Sequence, residues 1–108
     1  MVYKHMLEIP VEKNVRGIDS RVLVDHENAL MKQLILHAGQ TVPPHQVPVD
    51  VTFFVLEGQG SITIGDSSYD VKPYSIVTCP KNTSMSVSAK SERLTFLNIK
   101  TPSYKPRG

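Results

Sequence analysis

The chain has one cysteine, Cys79, no tryptophan and an aromatic share of 6%. A single thiol excludes an intramolecular disulfide and suits a reducing compartment. So few rings leave the core to aliphatic side chains. No apolar run approaches the roughly eighteen residues that a membrane helix needs. The start, Met1-Val2-Tyr3-Lys4-His5, lacks the charged-then-apolar order of a leader peptide, so the expected setting is cytoplasmic and away from membranes. Net charge is also small. The formal net is +2 and Lys and Arg form no run, which leaves no electrostatic footprint for nucleic acid. Lys100, Lys105 and Arg107 read as a solvated end. At 108 residues, with 40% hydrophobic and 20% charged content, one domain with one core is expected.

Short β-branched or alternating runs separated by turn signals dominate what is present. Residues 1–28 read as an N-terminal arm, interrupted by Pro10, and a first strand at Arg21–Asp25. The segment Ala29–His37 is ambiguous, because Ala, Leu, Met, Lys and Gln favour helix. It is assigned as a strand because it runs into Gly39. Strands follow at Thr52–Leu56, Ser61–Ile64, Tyr69–Val71, Ile76–Cys79, Met85–Ala89 and Arg93–Lys100, with turns at Gly65–Ser68, Lys72–Ser75 and Lys90–Glu92. Residues 101–108, with two prolines, form a tail that is either poorly ordered or packed as an arm. Regular short strands without a helix indicate an antiparallel sandwich or barrel.

The most informative stretch is Gly39–Gly60, read as loop, strand and tight turn: Pro43-Pro44 leads into His45, and an apolar run ends at Glu57-Gly58-Gln59-Gly60. In order and spacing it resembles the first motif of the cupin family, where a glycine precedes His-x-His, an acidic residue or third His, and an apolar strand closing on glycine. Gly39, His45, Thr52–Leu56 and Gly58 match. Val47 and Val51 stand at the second and third ligand positions. Gly65, Pro73-Tyr74-Ser75 and Ile76–Met85 are similar to the family's second motif and place Met85 at the final His. The resemblance covers residues 29–100 and implies an all-β, double-stranded β-helix (jelly-roll barrel).

It also implies that the metal site is degenerate. Divalent transition metals need several converging N, O or S donors. Of His45, Val47, Val51 and Met85, only the imidazole is a good one, so no metal cofactor is expected. Elsewhere the sequence has no nucleophile-plus-base pairing, phosphate loop or zinc spacing.

In such a barrel the resemblance turns the ligand positions His45, Val47, Val51 and Met85 inward; strand parity then adds Phe53 and Val87, and alignment with the family implies the same of Lys32, Leu34, Phe96 and Asn98. The result would be a largely apolar pocket with a few polar groups, the usual make-up of a small-molecule site. Alternatives stay open. Val47, Val51 and Met85 could fill a former cavity, His45 could be structural or a candidate catalyst, and Lys32 could face solvent. Three functions remain: a metal-free binding or sensing protein for a small organic molecule, an enzyme (metal-dependent, or metal-free through His45), or a structural dimer with a filled barrel. Cupins commonly pair, so a homodimer using the N-terminal arm is expected.

Overall fold

Alternation and turn chemistry produce ten strands in the computed structural model, which describes residues 2–105. They are β1 (Glu12–Lys13), β2 (Asp19–His26), β3 (Ala29–Leu36), β4 (Thr41–His45), β5 (Asp50–Glu57), β6 (Gly60–Ile64), β7 (Ser67–Val71), β8 (Ile76–Cys79), β9 (Met85–Ala89) and β10 (Leu94–Thr101). One 3₁₀ turn, Met6–Glu8, lies within the N-terminal arm. A six-stranded sheet in the order β1-β2-β3-β10-β5-β8 packs on a four-stranded sheet in the order β4-β9-β6-β7. Every neighbouring pair is antiparallel.

β3 shows why propensity loses to context. It lies between β2 and β10 with both edges paired, burying Leu30, Leu34 and Leu36 on one face and Gln33 and Ile35 on the other. A helix could not satisfy both neighbours' backbone groups. Arg21 helps cover the outer face, donating through Nε to the Ile9 carbonyl at 2.8 Å and through a guanidinium N–H to Gln33 Oε1 at 2.7 Å.

β4 corrects the expectation of a loop at Pro43-Pro44-His45. It pairs with β9 from the edge of the smaller sheet, where prolines without N–H groups are tolerated. Its register jumps from Val42 opposite Val87 to His45 opposite Met85, two residues on β4 facing one on β9. This is a β-bulge. Strict alternation would put Val42 and His45 on opposite faces; the extra residue returns His45 to the face of Val42.

Turns close tightly. The β6–β7 hairpin needs only Gly65-Asp66, with Gly65 at φ +58, so β7 starts at Ser67, earlier than expected. At Gly58, φ is +85 and an added β-carbon would collide with the Arg93 carbonyl, so only glycine fits. The tail is packed through residue 105: Ser103 N–H donates to the Glu27 carbonyl, Tyr104 touches the core, and Lys105 pairs with Asp25 at 2.8 Å. Arg107 lies outside the described residues. No helix among the described residues is long and apolar enough to cross a membrane.

Between the sheets, Leu36, Val55, Ile62, Leu94 and the Phe53–Phe96 pair form the core. The two rings are 5.9 Å apart and tilted by 56°, a geometry worth about 0.5–1.5 kcal/mol beyond the area they bury.

Candidate functional site

One end of the space between the sheets stays unfilled, leaving a cavity of about 310 Å³. Its position follows from three adjacent strands. On β10, Phe96, Asn98 and Lys100 alternate onto the inner face. Asn98 is flanked by Lys32 of β3 and Phe53 of β5. Leu34, also on β3, adds apolar wall beside Phe96. From the smaller sheet come Val87 of β9 and, across the bulge, Val42 and His45 of β4.

The mouth is built by the β1–β2 hairpin. Asn14 Oδ1 accepts from the N–H groups of Arg16 and Ile18 at 2.9 and 3.0 Å, and Gly17 takes φ +76. That turn sets Lys13, Val15 and Arg16 over the opening, and Lys105 approaches from the tail. Lys13 also donates to Asp19 at 2.7 Å, and His37 sits 3.0 Å from the other oxygen of Asp19, which ties the hairpin to the end of β3.

Of the residues expected to line a pocket, the structure brings together Lys32, Leu34, His45, Phe53, Val87, Phe96 and Asn98. Val47, Val51 and Met85 are not on the wall. They are 5%, 1% and 0% exposed and belong to the core. Aliphatic side chains and an adaptable thioether close-pack where convergent ligands would need room.

Lys100 corrects the reading of a solvated end. It is 7% exposed and shares the inward parity of Phe96 and Asn98. That parity was legible once Phe96 and Asn98 had been turned inward. The hairpin residues 13–16 and Lys105 had no comparable signal, because turn and tail positions carry no period.

The site's electrostatics are one-sided. Lys13, Arg16, Lys32, Lys100 and Lys105 line the cavity, and no carboxylate does among the described residues. Lys13 and Lys105 have acidic partners, Asp19 and Asp25. Among the described residues, no carboxylate pairs with Arg16, Lys32 or Lys100. Burial, and then the charges of Lys32 and Arg16, push the Lys100 ammonium down to about 8.

His45 is half-buried, with Nδ1 3.0 Å from the Pro43 carbonyl. A carbonyl only accepts, so Nδ1 carries the proton and Nε2 keeps its lone pair. Burial lowers its pKa. The Pro43 bond opposes this, and Arg16 and Lys100 add to the lowering. The neutral ring is therefore the form present at pH 7.

The donor set here is poor for a transition metal, which needs several converging N, O or S ligands. The four family ligand positions offer one imidazole, two valines and a buried thioether, and no three His, Cys, Asp or Glu side chains cluster among the described residues. Unpaired cations beside His45 would also repel a metal ion. Cys79 is no alternative ligand. It is buried with its thiol donating to the Thr83 carbonyl, and burial, with Asp50, pushes its pKa up.

Solved structures place this architecture. An RmlC-like cupin from Shewanella frigidimarina superposes with a TM-score of 0.89 over 97% of this chain and 94% of that one, at 10% identity. The fold is a cupin fold. The polyketide cyclase RemF from Streptomyces resistomycificus shares this cupin barrel, with a TM-score of 0.82 over 98% of this chain and 82% of its own, at 17% identity. No family model matches the sequence. Among curated proteins, 5-nitrosalicylic acid 1,2-dioxygenase from a Bradyrhizobium species is 33% identical over 46 residues. Those residues are 43% of this cupin-fold chain and only 22% of that enzyme.

Proposed function

We propose that this chain is a small-molecule-binding cupin that works without the family's metal. The carrying observation is the cavity itself. It has about 310 Å³ of space beside a buried aromatic pair, with an apolar wall of Leu34, Val42, Phe53, Val87 and Phe96 facing polar groups that include His45, Asn98 and Lys32, and apolar surface with convergent polar groups is the composition of a ligand site. A filled structural barrel would leave no such space.

The test is fragment binding followed by NMR of the labelled protein, together with elemental analysis of the same sample. Fragments that shift the resonances of Phe53, Phe96 and Asn98 support the reading. An interior that responds to no fragment overturns it, and so does stoichiometric iron, manganese, nickel or zinc retained through dialysis.

A second reading is a metal-free enzyme with His45 as general base. It is favoured by the neutral ring whose Nε2 is free to accept a proton. A turnover that survives chelator and disappears in His45→Ala selects it. A metal-dependent oxygenase has in its favour the short match to a dioxygenase, and against it a donor set with one good ligand.

A further inference from the structure

Lys100 is a buried ammonium with no acidic partner among the described residues. Its inward strand parity places it on the cavity wall. Burying an unpaired charge is costly. Here the cost is compounded, because Lys32 and Arg16 line the same space and neither has an acidic partner there. Natural cores replace or neutralise such groups unless something supplies the missing charge. Among the described residues, nothing on the surrounding elements does. β3 brings Lys32, the hairpin brings Arg16, β4 brings a neutral His45, and Asp19 and Asp25 are engaged by Lys13 and Lys105.

From this we infer that the cavity is built for an organic carboxylate. Its charged end would meet Lys100 and Lys32, and its apolar body would lie against Phe53, Phe96 and Val87. The inference rests on the small-molecule reading above and names the ligand class. A carboxylate suits the site better than a phosphate. All neighbouring strands are antiparallel, and among the described residues no helix N-terminus or glycine-rich nest lines the cavity, so the backbone N–H groups that usually hold phosphate are not offered there. The apolar wall beyond the lysines also calls for a ligand with carbon skeleton attached to the charge. A carboxylate bound there would supply the acceptor that Lys100 lacks and would raise its pKa, so binding would take up protons above about pH 8.

The experiment uses four probes: naphthoate, naphthamide, naphthylmethylamine and inorganic phosphate. Each is titrated calorimetrically into wild type, Lys100→Met and Lys32→Met at pH 7, and naphthoate also from pH 7 to 10. Methionine keeps the length and removes the charge, so neither variant leaves a cavity. A charged hydrogen bond is worth about 1.5–3 kcal/mol, so naphthoate should bind about tenfold or more tighter than naphthamide. That margin should vanish in Lys100→Met and shrink in Lys32→Met. Wild-type affinity for naphthoate should fall above about pH 8 and stay flat in Lys100→Met. Equal binding of naphthoate and naphthamide overturns the carboxylate inference while leaving the small-molecule site standing. Phosphate binding as tightly as naphthoate overturns it as well. Failure of all four probes, joined to a fragment screen that finds no occupant, removes both.

Discussion

At the scale of single residues, Lys100 carries the most testable energetics. Its pKa falls from 10.5 to about 8 on folding, chiefly through burial. The unfolded chain therefore holds more protons than the folded one between those values, and stability rises with pH across that window. Below about pH 8 the penalty is fully present, on the order of 3 kcal/mol. Urea unfolding of wild type should accordingly show higher stability at pH 10 than at pH 7.5. Lys100→Met should be more stable than wild type at pH 7.5 by a sizeable part of that amount, and should lose the slope. A variant no more stable than wild type would mean that Lys100 is solvated through the cavity mouth. For His45, NMR titration of the ring should give a midpoint below 6.5. Lys100→Met should raise it only modestly, because burial is the larger cause.

Among the elements, β4 shows most clearly what a sequence does and does not disclose. The strands β5, β6, β8, β9 and β10 were legible because their alternation or β-branched content is local. The Pro43-Pro44 bulge was not, since a proline pair reads as a loop unless the strand is known to lie at a sheet edge. For Val47, Val51 and Met85 the sequence left two readings open, pocket wall or cavity filling. Parity says which face a side chain takes, but not whether that part of the interior is closed. Deleting Pro44 should restore alternation, turn His45 outward and return its pKa toward 6.5, readable by the same NMR titration. The closing glycine gives a sharper result. Gly58→Ala places a side chain at φ +85 against the Arg93 carbonyl, so a loss of about 1–3 kcal/mol from the backbone conformation alone is expected. The collision adds to that loss, and thermal unfolding measures the sum.

For the molecule as a whole, charge is distributed unevenly. A net of +2 conceals five cationic side chains gathered around one opening. Long-range attraction of anions to that opening should weaken as salt shortens the screening length to about 8 Å at physiological strength. Stopped-flow association of naphthoate should therefore slow between low and physiological salt, while naphthamide is unaffected. A homodimer is also proposed. Val2, Tyr3, Leu7, Val11 and Val15 leave apolar surface exposed along the arm, and light scattering should give twice the 12.0 kDa chain mass. β10 has a last consequence. It presents a ring, an amide and an ammonium at alternate positions, Phe96, Asn98 and Lys100, and at about 3.4 Å per residue the first and last stand about 14 Å apart along the strand. The strand thus works as a ruler: acids too short to reach from the ammonium to the ring would forfeit one grip, so among carboxylates it is length that would sort the candidates.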